Sequence, residues 1–182
     1  AVKGGVSMVQ LREKESSTRE FVERAIRLKE VLTPYGVPLI INDRVDVALA
    51  ADADGVHVGQ SDMPYEMVKR LLPEGKIIGL SVESPEQVLE ANNYDLDYVA
   101  ASPVFSTTTK TNTIVEWGLD GLRWIRSVSR HPLVAIGGIH SNNVASICKA
   151  GADSVAVISA IVSADDPERA ARELLEKSGE LH

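Results

Sequence analysis

The segment VQLREK, residues 9–14, carries three long polar side chains at alternate positions: Gln10, Arg12 and Lys14. Alternate residues of a strand share a face. The three therefore line one face, and Val9 and Leu11 line the other. If the apolar face packs on helices, the polar triplet turns inward, where unpartnered charges cost on the order of several kcal/mol each. A fold tolerates that where an anion arrives; the plainer alternative is a solvated strand end. The next strand-like run ends in Asn42-Asp43, and the one after supplies His57 and, just past its end, Asp62. Two carboxylates at neighbouring strand ends suit Mg²⁺, which takes one or two protein carboxylates and fills its shell with water and phosphate oxygens. Each aspartate also reads as a helix cap. For Asp62, directly ahead of MPYEMVKRLL, both readings stand. His57 alone reads as a hydrogen-bonded core residue.

Further polar groups fall at the ends of later runs. Ser81 closes KIIGLSV with no base in an evident place beside it, so a nucleophile elbow is rejected. Gly137-Gly138 allow a ligand to approach backbone N–H groups closely, and Ile158-Ser159 precede another turn. Such loops hold phosphate on backbone amides in many barrels, although paired glycines also make a simple tight turn. FSTTTKTNT, residues 105–113, gathers five threonines around Lys110 with no apolar face after Phe105. It reads as a loop of hydroxyls and one ammonium that closes over anions. Together these groups describe a Mg²⁺–pyrophosphate site and a second phosphate site, and hence two phosphorylated substrates.

Strand-like and helix-like segments alternate along the whole chain, which predicts βαβ units and a parallel sheet. The strands are SMVQLRE, PLIIND, GVHVGQ, KIIGLSV, YVAASPVF, PLVAIGG and SVAVISA. Helical patterns include TREFVERAIRLKEVL, PYEMVKRLL, SPEQVLEAN, LDGLRWIRSV, SNNVASICKAG and DPERAARELLEKS. Ser84-Pro85 and Asp166-Pro167 read as a cap followed by proline at the first helical position. Gly36 and Gly151 read as helix stops. The expected architecture is a single (β/α)8 TIM-barrel domain over residues 1–182, one strand short. AVKGG reads as the last turn and cap of a helix, which places the missing first strand ahead of Ala1. An open, doubly wound sheet of seven strands is the alternative.

Composition narrows the classes. The chain has 182 residues, 44% hydrophobic and 25% charged, as soluble globular proteins do. Its net charge of −7 argues against a nucleic-acid partner, which usually meets a basic face. No apolar run is long enough for a transmembrane helix, and no signal peptide opens the chain. A single cysteine, Cys148, read as a buried small hydrophobe, fits a reducing cytoplasm. A homo-oligomer stays open.

As an ordered set, GGVSMVQLREK, IINDRVDVALAADADGVHVGQSD, IIGLSV, YVAASPVFSTTTK, AIGGI and VISAI resemble the thiamine-phosphate synthase family, from Gly4 to about Ala160. The resemblance implies condensation of 4-amino-5-hydroxymethyl-2-methylpyrimidine pyrophosphate with 4-methyl-5-(2-hydroxyethyl)thiazole phosphate. The implied products are thiamine phosphate and pyrophosphate, with Mg²⁺ as cofactor. It further implies that Gln10, Arg12, Lys14 and Asn42 bind the pyrimidine pyrophosphate and that Asp43 and Asp62 hold the metal. Ser81 and Lys110 would contact the leaving pyrophosphate, with His57 lining the pyrimidine pocket. Thr107, Thr109 and the amides around Gly138, Ile158 and Ser159 would take the thiazole phosphate. Arg12, Lys14, Ser81 and Lys110 would carry the catalytic load. Two positions and one stretch depart from the family pattern; the stretch is KTNTIVEWG from Lys110, where Asn112 and Glu116 carry no assigned role. Ser106 stands where proline is common, and Glu83 where many relatives carry histidine. The resemblance extends to the related thiazole tautomerase and implies a catalytic histidine there, so Glu83 speaks against that isomerase. A barrel that binds thiamine phosphates without turnover is the other alternative.

Overall fold

The computed structural model describes residues 1–106 and 116–179. The chain groups into two compact units. One is Val6–Leu80 with Val2; the other runs from Ser81 to the end and includes Ala1 and Lys3–Gly5.

The first unit alternates strand and helix: β1 (Val9–Leu11), α1 (Thr18–Leu32), β2 (Leu39–Asn42), α2 (Val45–Ala50), β3 (Gly55–Val58), α3 (Tyr65–Leu71) and the start of β4 (Ile77–Val82). These strands pair in parallel in sequence order, with Gln10 opposite Ile40, Asn42 opposite His57, and His57 opposite Gly79. Parallel sheets covered on both faces read as continuous apolar runs. Accordingly Leu39, Ile40, Ile41, Val56 and Val58 are almost wholly buried. Helix α1 begins where the sequence predicts. Ser17 accepts from the Glu20 N–H, and the Glu20 carboxylate accepts from the Ser17 N–H, a complete capping box. Phe21, Ala25 and Leu32 form its buried stripe against β2 and α2.

Asp52, at φ +47°, ties this unit together electrostatically, accepting from Lys29 at 2.8 Å and Lys76 at 2.7 Å. Hydrogen bonds from Lys29 and then Lys76 lower its carboxyl to about 2. A depressed folded value means the contribution is complete above the unfolded value of about 3.9 and fades as pH falls toward the folded one. The expected result for Asp52→Asn, a residue that tolerates positive φ, is a melting temperature below that of the parent chain at neutral pH. Thermal melts should show that gap shrinking below about pH 4. A gap that widens on acidification would contradict the ion-pair account.

In the second unit β5 (Tyr98–Ala101), β6 (Leu133–Ile136) and β7 (Ser154–Ala156) pair in parallel in sequence order. The helices are α4 (Pro85–Ala91), α5 (Gly118–Val128), α6 (Val144–Lys149), α7 (Ser159–Val162) and α8 (Pro167–Ser178). Ser84 and Asp166 cap α4 and α8 with proline at the first turn, as the sequence predicts. The AVKGG turn is a 3₁₀ turn at Val2–Gly4. A Cβ on Gly4 would lie 2.2 Å from the Glu168 carbonyl, so only glycine permits that approach to α8.

All seven strands expected from the sequence are present among the described residues. Helices α2 and α7, six and four residues long, are not anticipated. Cys148 is half-buried rather than fully buried, beside the buried Ile147 of α6. One expectation is corrected. Strand β1 ends at Leu11, and Gln10, Arg12 and Lys14 are exposed while Val9 and Leu11 are half-buried. The parity holds, but the polar face lies open, so these side chains are solvated and no burial penalty is incurred.

Candidate active site

In the first unit, two aspartates and a lysine meet. Asp43 follows the last residue of β2, and its N–H donates to the His57 carbonyl of β3 at 2.8 Å. That bond holds Asp43 at φ +64°, an uncommon conformation outside glycine that Asp tolerates better than most residues. Such backbone conformations persist where surrounding structure imposes them, and they cluster at functional sites. Asp62 lies in the turn after β3, where its Oδ2 accepts from the Gly59 N–H at 2.7 Å. Neither aspartate caps a helix. The residue before α2 is Arg44 and the one before α3 is Pro64, both without a side-chain cap. The capping alternative therefore falls.

The side chains of Asp43 and Asp62 lie close enough to shift each other's ionisation, and the Lys14 ammonium donates to Asp43 Oδ2. Burial alone would raise both carboxyls. At Asp43 it is outweighed by the Asp62 side chain, by the bond from Lys14 and by the charges of Lys14 and Arg12, which together hold its carboxyl below the usual range. At Asp62, burial and then the Asp43 side chain push the carboxyl up, against the Gly59 N–H. Two carboxylates this close repel unless a proton or cation lies between them. The donor set is hard oxygen, and among the described residues no group of three or more His, Cys, Asp or Glu side chains gathers. Two carboxylates with open remaining positions fit Mg²⁺, which draws the rest of its shell from water and phosphate.

The neighbours are placed as follows. Asn42 ends β2 beside His57, which is buried at 7% exposure. Arg44 donates to Asp46 and Thr18. The loop bearing Arg12 and Lys14 is tied to α1 through Glu13, which accepts from Arg24 at 2.6 Å and from Ser16 at 3.0 Å.

In the second unit, a cavity of about 690 Å³ is lined by Phe105, Ser106, Glu116, Gly138, Ile139, His140, Asn143, Ser159 and Ala160. Gly138 and Ser159, distant in sequence, share it, and Ile158 stands half-exposed next to Ser159. The two glycines are needed for more than ligand access. Gly137 and Gly138 sit at φ +103° and +65°. A Cβ on Gly138 would be 2.8 Å from Phe105 Cβ and 2.9 Å from the Ser106 carbonyl. Asn143 stiffens this turn, donating to the Gly138 carbonyl at 2.8 Å and accepting from the His140 N–H at 2.9 Å. The Ser106 hydroxyl donates to Glu116. Trp117 donates to the Val82 carbonyl at 3.1 Å and stacks on Trp124 with centroids 6.2 Å apart. Ser81, on β4, is buried at 5% exposure. Thr107, Thr109 and Lys110 lie outside the described residues. Glu116, His140 and Asn143 are not identified by sequence reasoning. A histidine and an asparagine just after a glycine pair were the available signal.

Comparison with known proteins decides the family. The family model described as thiamine monophosphate synthase matches residues 1–161. The chain belongs to the thiamine monophosphate synthase family. Membership sets the enzyme class, a transferase, and agrees with the resemblance carried by the motifs. Among relatives of the family, the thiamine-phosphate synthase of Albidiferax ferrireducens is 54% identical over 92% of this chain and 76% of its own. That of Vibrio parahaemolyticus is 51% identical over 96% and 86%. The structure is similar to thiamine phosphate pyrophosphorylase from Pyrococcus furiosus, with TM-score 0.91 and 42% identity over 98% of this chain and 86% of that one. A 3-hexulose-6-phosphate synthase from Salmonella typhimurium, TM-score 0.79 at 23% identity, shares the fold alone. The synthase family's α/β barrel class is thus the fold class of this chain, with seven parallel strands among the described residues.

Proposed function

We propose that the chain joins 4-amino-5-hydroxymethyl-2-methylpyrimidine pyrophosphate to 4-methyl-5-(2-hydroxyethyl)thiazole phosphate, forming thiamine phosphate and releasing pyrophosphate. Family membership supports the reaction. The observation that carries the residue assignments is the meeting of Lys14, Asp43 and Asp62 around a carboxylate pair suited to a hard divalent cation.

The chemistry follows from what the residues can stabilise. The methylene C–O bond to pyrophosphate breaks and its electron pair leaves on the pyrophosphate. The thiazole nitrogen lone pair then forms the new C–N bond to the pyrimidine methylene. No protein nucleophile is needed; positioning and charge stabilisation do the work. Asp43 and Asp62 would hold Mg²⁺, which supplies positive charge to the departing pyrophosphate. Arg12 and Lys14, solvated and able to swing, would grip its outer oxygens, with Gln10 and Asn42 orienting the pyrimidine side. His57, buried beside Asn42, would line that pocket. Ser81 and Lys110 would contact the leaving group. Thr107, Thr109 and the backbone around Gly138, Ile158 and Ser159 would take the thiazole phosphate, with the cavity at Gly138 and Ser159 as the support for that placement.

The reading extends to a cytoplasmic enzyme, supported by the lone cysteine. No helix among the described residues is long and apolar enough to cross a membrane. The test is a pyrophosphate-release assay with both substrates. Release should require both of them, stop on addition of EDTA, and return with excess Mg²⁺. Release that persists at full rate after chelation would remove Asp43 and Asp62 from the metal role. No release from folded protein would sink the synthase reading.

A further inference from the structure

The Asp43–Asp62 pair carries a resident cation of its own. The Lys14 ammonium bonds Asp43 Oδ2 directly. The Lys14 side chain is 48% exposed, whereas that of Asp43 is 17% exposed. The Asp43 backbone is anchored by its N–H bond to the His57 carbonyl, and the neighbouring Asp62 carboxylate is held by the Gly59 N–H. The lysine comes from the segment after β1, 29 residues away in sequence, on a flexible stem that solvent reaches. One partner is therefore anchored at a strand end and largely covered, and the other sits on an exposed stem.

We infer that Lys14 is a placeholder cation: it occupies Asp43 until a divalent metal displaces it, and the released ammonium becomes available to the pyrophosphate. This rests on the metal reading of Asp43 and Asp62. An ammonium bonded to a carboxylate oxygen and a divalent cation on that oxygen repel each other, so they compete for it. The metal must break the Lys14–Asp43 bond, which weakens metal binding to the ligand-free protein. An incoming pyrophosphate gives Lys14 a new partner and removes that obstacle. Metal and pyrophosphate thus favour each other's binding, and by linkage the coupling is reciprocal. The site would stay largely closed to free metal and fill when the anion arrives with it.

The test uses Mn²⁺ as the probe metal, titrated by the paramagnetic resonance signal of the free ion, without substrates. Lys14→Gln and Lys14→Met should each bind Mn²⁺ tighter than the parent chain, by a factor in the range of about 5–150 that couplings of this kind span. Arg12→Gln removes a positive charge that acts on Asp43 only through space. It should tighten binding by no more than about threefold, since exposed charges are strongly screened. Equal tightening in the Arg12 and Lys14 variants would assign the effect to general charge and overturn the placeholder. So would unchanged or weaker binding in the Lys14 variants. Asp43→Asn separates this from the underlying reading: if it binds Mn²⁺ as well as the parent chain does, the metal assignment itself is wrong. In the unaltered protein, the ion-paired Lys14 Nζ resonance should shift or vanish on adding Mg²⁺. A resonance that stays put while metal binds at Asp43 overturns the exchange without any variant.

Discussion

Asp43→Asn is expected to lower kcat/KM by about 10²–10³-fold, the range found when one group that stabilises developing charge is removed. The substitution is chosen for the backbone. Asparagine adopts left-handed conformations more readily than most residues, so the φ of +64° and the N–H bond to His57 should survive. What disappears is one of two carboxylates and the direct partner of Lys14. The stability change should be small. An ion pair to a half-exposed lysine contributes only about 0–1 kcal/mol, and losing the Asp43 charge removes what pushes the Asp62 carboxyl up. Steady-state kinetics with a thermal melt on the same sample check both halves. Activity within a few-fold of the parent chain would remove Asp43 from the chemistry. A large fall in melting temperature would recast it as a structural residue.

Gly138→Val should act on the other substrate. A left-handed backbone costs an L-residue about 1–2 kcal/mol, and a β-branched residue there is an outlier. The new Cβ would also press on Phe105 and on the Ser106 carbonyl, at 2.8 and 2.9 Å before any relaxation. The Ser106 backbone cannot yield without moving one wall of the cavity. A displacement near 1 Å is enough to cost about 10²-fold in a positioned reaction. The expected pattern is a KM for the thiazole phosphate raised by about 10–100-fold, with the KM for the pyrimidine pyrophosphate changed far less. Equal effects on both, or none, would mean that this cavity does not hold the thiazole phosphate.

Much of this was legible in the residues. The strands were readable because β2 to β6 are mostly Val, Ile, Leu and Ala, interrupted only by Asn42, His57, Ser81 and single glycines or aromatics. Helix α1 was readable to the residue because Ser17 and Glu20 mark its start and Phe21, Ala25 and Leu32 mark its buried stripe. That Asp43 and Asp62 end up as neighbours follows from parallel pairing, which sets the ends of β2 and β3 side by side.

Other features lay out of reach for definite reasons. Alternation tells which side chains of β1 share a face, but not what covers that face. Gln10, Arg12 and Lys14 were thus expected buried and are exposed. Whether an aspartate caps a helix depends on local dihedrals, and here they place Arg44 and Pro64 at the caps instead. The bond from Lys14 to Asp43 bridges two separate strand ends, and composition carries no trace of it. His140 and Asn143 reach the cavity through the turn that Gly137-Gly138 makes against Phe105 and Ser106, and Glu116 through its bond from Ser106.

The central claim, transfer of the pyrimidine methylene from pyrophosphate to the thiazole nitrogen, is tested most directly by phosphorus NMR of one reaction mixture. With both substrates, Mg²⁺ and this protein, the ester pyrophosphate signals should vanish as free pyrophosphate and thiamine phosphate grow in one-to-one proportion. Nothing should change if either substrate is withheld. Loss of the pyrimidine pyrophosphate without the thiazole substrate, or a mixture left unchanged by folded protein, would contradict the account.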